Sequence, residues 1–434
     1  MPGYARGNNL CPQLPYDVDF PFQAGYTAIL DPKIQPAFDM FSWQSFAALN
    51  WPADSAGNPL GNSIGAYADV PRVWEHYPDI AEVFDAQTPL LLKVKEAGRN
   101  KQKAFYMISK FSIPADSLNE VLNPDEKPLI DRNLNFAVFA VNTNPVEANF
   151  IISNNLNTKK GIDSFYRKNG KQFALPPSVI PNKEQKGSAG SMEIKTSWRI
   201  LDTSKGDIPS RYYTREALIY VDADNSVSGK AFTIKALVGL TGMHIVRKTA
   251  RFTTWVWSTF EHVDNTPDNM QAAQDEVKHR WSYYNTSTLG LTPNQPAAFQ
   301  PGDNKTYKFD STKPYAKRYA DSVAGEHFGE KVYGTQAQRM YPIYYRTEQV
   351  NKAWQNKLQG TVWANYKLIG SQWTAADPGV KNSPNVPNFL GNSSLETFQL
   401  INASCLTCHK GAAITYGKET ISTDFSFMIA FNAQ

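Results

Sequence analysis

The stretch "MEIKTSWRIL", residues 192–201, alternates: Met192, Ile194, Thr196, Trp198 and Ile200 fall on one side, Glu193, Lys195, Ser197 and Arg199 on the other. A period of two puts successive side chains on opposite faces of an extended chain, so it reads as a β-strand with an apolar face and a polar one. Upstream, "LNFAVFAV" (134–141) has the same character. Downstream, "EALIYVDADNSVSGKAFTIKALVGLTG" (216–242) reads as two strands around a turn, and the run continues through "MHIVRKT" and "TTWVWSTFEHV". Within that turn, "DADNSVSG" lacks the twelve-residue ligand pattern of a calcium loop and reads as a polar hairpin. Strands in succession with little helix between them predict an α+β fold, with an antiparallel β-rich core and flanking helices.

Helical spacing appears outside this run. Phe38, Phe41, Trp43, Phe46 and Leu49 form a wide apolar face before "NWPAD" ends it, and Ile80, Val83 and Phe84 repeat the spacing in a segment between Trp74 and Arg99. Residues 12–36 are punctuated by proline and read as an extended arm. The segment 264–312 has no sustained period and reads as a long surface connection. A helix at "TEQVNKAWQNKL" and a strand at "TVWANYKLIGSQW" follow. The expected division is a β-rich body with a helical N-terminal part over 1–389, and a C-terminal segment over 390–434 packed on it.

A chain of 434 residues with 41% hydrophobic and 13% aromatic content has material for a large core. The net charge of +4 is slight, and lysines are interspersed with acids, so no nucleic-acid footprint is expected. Apolar runs fall far short of the roughly 20 residues that span a bilayer. Glycine-rich phosphate loops and a G-x-S-x-G elbow are absent from the sequence.

Chemistry concentrates near the C-terminus, in "NASCLTCHKG" (402–411). Cys405, Cys408 and His409 form C-x-x-C-H, the spacing by which two thiols add to the vinyl groups of a haem while the adjacent histidine reaches the iron. On a helix, positions three and four apart share a face, so all three can address one flat cofactor. Ser393 and Glu396 have capping-box spacing, and Leu395, Phe398, Ile401 and Cys405 recur at helical intervals, which predicts a haem-bearing helix ending near Gly411. Three other readings use the same residues. A thioredoxin-like pair belongs at a helix start after an early strand; a zinc site needs a fourth ligand; the third is a structural disulfide or free thiols. Cys11 is the odd thiol, read as a partly buried passenger or an intermolecular disulfide partner.

The sequence resembles a monohaem c-type cytochrome at Cys405, Cys408 and His409. The stretches "FSWQSFAALNWP", "MEIKTSWRILD" and "TTWVWSTFEHVDN" also look like those of large bacterial cytochrome c family proteins. The resemblance implies one covalent haem c and a periplasmic location, since thioether attachment in bacteria follows export. Residues 1–30 show no basic start followed by an apolar run, so a signal peptide is expected to have been removed or replaced.

The iron's second face separates electron transfer from catalysis. Small cytochromes c place the motif near the start and a methionine after it; here 25 residues follow His409. Met428, 19 residues on, is within reach of a chain that extends about 3.3 Å per residue. It is a ligand candidate, as are His244 and His262 on predicted strands, and an open face is the other outcome. Trp255, Trp257 and Phe260 are candidate haem walls, and Glu261, His262 and Arg247 the nearest distal acid-base residues. The expected function is electron transfer with a redox partner protein. The alternatives are a haem enzyme of peroxidase or oxygenase type and a haem-based small-ligand sensor.

Overall fold

The computed structural model describes residues 10–19, 34–84, 103–107, 128–223, 225–268, 279–285, 292–295, 305–320, 329–330, 332–374 and 385–433. Its helices are α1 (Gln35–Leu49), α2 (Ile80–Phe84), α3 (Pro145–Ser153), α4 (Lys159–Lys168), α5 (Tyr345–Lys357), α6 (Cys405–His409) and α7 (Phe427–Asn432). Its strands are β1 (Lys103–Met107), β2 (Val138–Thr143), β3 (Met192–Ile200), β4 (Thr214–Val221), β5 (Phe232–Arg247), β6 (Val256–His262), β7 (Lys305–Phe309), β8 (Ala316–Ala320), β9 (Gly329–Glu330), β10 (Tyr366–Thr374), β11 (Asn385–Val386), β12 (Ala413–Tyr416) and β13 (Glu419–Ser422). The fold is α+β with an antiparallel sheet at its centre, as the alternation in β3 led one to expect.

The sixteen residues of β5 are the spine of that sheet. The first half of β5 pairs with β4, and its second half lies between β3 on one edge and β6 on the other. Beyond β3 comes β2; beyond β6 come β10 and β11, and all these pairs are antiparallel. Only β1 against β4 departs from this among the described strands, running parallel.

One face of the sheet carries the apolar side of β3. Met192, Ile194, Trp198 and Ile200 join Met243, Ile245 and Phe260 in a core closed by Trp43 and Phe46 of α1 and Trp354 of α5. Pro36 supports the start of α1, where its missing N–H removes nothing the first turn needs. The helix is buried nearly all round, so even its polar residues find partners: Ser42 Oγ bonds Ser258 Oγ at 2.7 Å and Ser371 Oγ at 2.6 Å.

The polar side of β3 does not face water. Glu193, Ser197 and Arg199 are buried too, because residues 390–433 lie across that face together with α3 and α4. Val246, Trp255, Trp257, Leu406, Ile414, Ile421, Met428 and Ile429 share a second core with Ala148 and Ile151 of α3. The C-terminal segment is therefore a layer of the molecule, not an appendage.

Several local expectations change. Residues 392–402 form turns, and the helix is confined to Cys405–His409. Asn392 explains the difference: its Oδ1 accepts from the N–H and hydroxyl of Ser394, and its Nδ2 donates to Thr259 Oγ1 and the Phe260 carbonyl. Such local side-chain bonds compete with helical ones. Residues Val362–Asn365 form a 3-10 turn before β10 starts. α3 and α4, unread in the sequence, are announced by Asn144 and Thr158, whose side chains cap the N–H groups of Glu147 and Gly161. Asp222 and Asn225 hold the turn between β4 and β5, with Asp222 Oδ1 accepting from the Asn225 N–H; Asp224 lies outside the described residues. The expected helix beyond Phe84, most of the arm at 12–36 and much of 264–312 also lie outside them. Within 264–312, Ser282 and Tyr283 are fully buried and 305–309 is a strand. Among the described residues no helix is long and apolar enough to cross a membrane.

Candidate functional site

α6 presents Cys405, Cys408 and His409 on one short turn beside the sheet. The ring of His409 rests against Trp257 of β6, centroids 4.2 Å apart, and meets Phe427 edge-on at 4.9 Å. Its Nδ1 lies 2.8 Å from the carbonyl oxygen of Phe425. A carbonyl can only accept, so Nδ1 must carry the proton, and the tautomer leaves a lone pair on Nε2. Burial pushes the imidazole down to about 4, so the ring is neutral at physiological pH; the Phe425 bond opposes that shift, and the nearby charges of Lys195 and His244 add to it. Among the described residues no hydrogen bond engages Nε2. A neutral histidine, oriented through Nδ1 and unengaged at Nε2, has the tautomer and the orienting carbonyl bond of a metal-ligating imidazole.

The segment that supplies Phe425 is itself constrained. Asp424 and Phe425 are both left-handed, with φ of 55° and 68°, and Trp255, whose Nε1 donates to the Asp424 carbonyl at 2.9 Å, has φ of 73°. A left-handed Trp or Phe is uncommon and is retained only where the surroundings over-determine it. Three such residues in one contact mark the strap under His409 as the most strained part of this face. The Asp424 carboxylate accepts from Leu175 N at 2.8 Å and pairs with buried Lys248.

The thiols differ in setting. Cys405 is turned inward, its Sγ 3.9 Å from the Leu390 carbonyl, and burial pushes its thiol well up. Cys408 is exposed, and neither of the two forms a disulfide among the described residues. The sulfurs thus point different ways, which is not yet the arrangement two thioethers to one macrocycle require. Among the described residues, no group of three or more His, Cys, Asp or Glu is placed to hold a bare metal ion, so the zinc reading gains no support.

Two observations test whether this surface suits a haem. First, large apolar side chains stand exposed around α6: Phe389, Ile401 and Phe431 are each at least half exposed, and Phe431 stacks on Phe427, the ring that meets His409. Patches of this kind mark binding surfaces. Second, Trp257 Nε1 is buried with no hydrogen-bond partner among the described residues, a donor left for an acceptor on a bound group. The donor set fits the cofactor; the inward turn of Cys405 is the exception.

The other candidates divide by face. His244 lies on the His409 side, its Nε2 3.3 Å from Glu396 Oε2 but not aligned for a hydrogen bond. Met428 is 5% exposed in the second core, on the same side. His262 lies on the opposite face, stacked on Tyr212, with Nε2 against the Arg211 carbonyl and Nδ1 accepting from the Asp264 N–H. Both its nitrogens are engaged and it is not brought to the site.

Arg247 also lies on the far face, bonded to Ser45 Oγ and the Pro15 carbonyl. Glu261 is on the near face, but its carboxylate is taken by Ser393 and by Arg339 at 2.8 Å. The expected distal acid-base trio is therefore not assembled. Of the three aromatic walls, Trp255 and Trp257 line the site, and Phe260 packs in the other core. Cys11 is half-buried, with Gln44 Nε2 3.2 Å from its sulfur. Sequence reasoning missed Phe425, Asp424 and Lys195, because nothing in their spacing ties them to His409.

A cavity of about 380 Å³ opens beside the segment, lined by Tyr341, Tyr344, Thr347, Asn385, Phe389 and Leu390 among others. Its wall is tied to α6: Asn385 Nδ2 donates to Thr407 Oγ1 at 2.7 Å, and Leu390 is the residue that Cys405 faces. Comparison with known proteins returns no matching family model, no matching curated protein and no matching solved structure.

Proposed function

We propose that the chain is a periplasmic haem c redox protein, attaching one haem through Cys405 and Cys408 with His409 as an axial ligand, and that it transfers electrons to or from a redox partner. The observation that carries this reading is the state of His409: neutral, held at Nδ1 by the Phe425 carbonyl, and unengaged at Nε2 among the described residues, one position from Cys408. When bound, the haem would supply a one-electron couple at its iron. The chain's part is to orient the imidazole through Phe425, to shield it with Trp257 and Phe427, and to anchor the strap through Lys248 and Asp424. Met428 and His244 remain the candidates for the sixth position.

The test is expression with export and a haem-attachment system, followed by a denaturing gel stained for haem and a pyridine haemochrome spectrum. Covalent haem in the wild type, lost in Cys405→Ala/Cys408→Ala, supports the reading; a wild-type chain without covalent haem sinks it. Ferric and ferrous spectra with and without carbon monoxide then separate the two modes. A low-spin spectrum indifferent to carbon monoxide supports the carrier. A high-spin form that binds it supports the second reading, an enzyme or small-ligand sensor, for which the cavity sharing Leu390 with Cys405 is the specific observation.

A further inference from the structure

Glu193, on the covered face of β3, takes no part in the site described above. Glu147, in the first turn of α3, is hydrogen-bonded to it. Glu147 is 0% exposed and Glu193 8%. A carboxylate has no donor, so a bond between two of them requires a proton, and two bare negative charges so far from water would be prohibitive. Glu147 is the member held protonated, raised far above its ordinary value by burial and then by the charge of Glu193. Burial lifts Glu193 to about 7, against the hydrogen bonds from Ser426 and Glu147. The pair therefore keeps one proton and exchanges a second near neutrality.

The groups around the pair are few. Asp424 faces it from the strap, raising both members, and is itself paired with Lys248. Thr143, at the end of β2, offers its hydroxyl to Glu147. Lys195 lies two positions along the same face of β3. α2, packed against α3, brings Glu82 and is preceded by buried Asp79, which is raised to about 6. α7 contributes no titratable side chain. Among the described residues, neither carboxyl oxygen of Glu147 finds any donor other than the shared proton and that hydroxyl.

The position matters as much as the chemistry. Ser426, which bonds Glu193, directly follows Phe425, whose carbonyl accepts from His409 Nδ1. One strained segment thus touches the acid pair with one residue and the axial imidazole with the next. A negative charge added at the site raises the proton affinity of a buried pair nearby, and the proton in turn favours the added electron, because the coupling is reciprocal.

We propose that Glu147 and Glu193 form a proton-binding site linked to the redox site at His409, taking one proton from water when one electron arrives from a one-electron donor and returning it when the electron leaves. This rests on the haem reading, so the experiment is staged on the full-length, haem-loaded chain. The haemochrome assay comes first: no covalent haem overturns that reading and this one with it. With haem present, midpoint potentials are measured by spectroelectrochemistry from mildly acidic to mildly alkaline pH. The wild-type potential should fall as pH rises through neutrality and become level in Glu193→Gln and Glu147→Gln. A level wild-type profile, or an unchanged slope in both variants, overturns the proposal while the haem reading stands. Should the variants fail to fold, the redox-difference infrared spectrum of the wild type decides. A carboxyl C=O band that appears on reduction and shifts in D2O supports the pair as the proton's destination, and its absence overturns it.

Discussion

Asp39 shows how burial sets charge at the scale of one residue. It sits inside α1 with no exposure, accepting from Gln35 Nε2 at 2.9 Å, Ser371 Oγ at 2.8 Å and Thr347 Oγ1 at 2.6 Å. Burial outweighs those three bonds and lifts its carboxyl to about 6 from an ordinary 3.8. Between those values the folded state holds a proton that the unfolded state has lost, so this contribution is favourable at the acid end and declines as pH rises through about 6. An asparagine in its place cannot titrate, and the new amide can face Thr347, whose hydroxyl can turn to accept. Asp39→Asn should therefore gain on the wild type by roughly 3 kcal/mol between pH 4 and pH 7, from the 1.36 kcal/mol that each pKa unit represents. Urea unfolding of both proteins across that range checks it, and parallel pH profiles would refute it. Met428 allows a second test: Met428→Leu conserves volume, so stability should change by less than about 1.5 kcal/mol and the visible spectrum of the haem-loaded protein should not change if the residue only packs. Loss of a sulfur-to-iron band on this substitution would instead make Met428 the sixth ligand.

At the scale of elements, β3 shows what was legible and what was not. Its alternation placed Met192, Ile194, Trp198 and Ile200 together in the core around α1, and they are there. The same alternation suggested that Glu193, Lys195, Ser197 and Arg199 would face water, and three of these are buried. A period of two tells which residues share a face, but not whether another layer covers that face. Here the cover comes from residues some 200 positions later, joined by polar contacts such as Ser197 Oγ to Ser394 Oγ at 2.7 Å, and polar contacts leave no hydrophobic period to read. The C-x-x-C-H turn was legible because its chemistry is local, whereas the Phe425 carbonyl is backbone and has no sequence signature. The close fit of the cover has a consequence at Gly242 of β5. A Cβ there would meet Ser394 Oγ and would stand 2.6 Å from Ser197 Oγ and 3.2 Å from Asn392 Oδ1. Gly242→Ala should thus push the 392–394 turn off the sheet, at a cost of about 1–3 kcal/mol, and make the segment before α6 more sensitive to limited proteolysis. An unchanged cleavage rate would mean that the turn yields without leaving the sheet.

For the molecule as a whole, the question is whether 390–434 is a domain or a layer. The sequence suggested a body over 1–389 with a haem-attachment segment packed upon it. The second core, however, draws Val246, Trp255 and Trp257 from the sheet, Ala148 and Ile151 from α3, and Leu406, Ile414, Ile421, Met428 and Ile429 from the tail. Removing the tail would strip those apolar groups of their cover and leave Lys248 buried without Asp424, and Arg339–Glu261 without the Ser393 contacts. A buried charge that loses its partner costs about 3–5 kcal/mol, a large part of the roughly 5–15 kcal/mol that holds a typical protein together. A chain truncated after residue 389 should therefore aggregate or fail to give a cooperative unfolding transition. The full chain should unfold with the near-UV signal of its tryptophans and the protection of the 405–409 turn lost together. Circular dichroism and hydrogen exchange on both chains test this. A soluble truncated body with a sharp transition of its own would show that the sheet does not need its C-terminal layer, and the polar face of β3 would then have to tolerate water as its alternation first suggested.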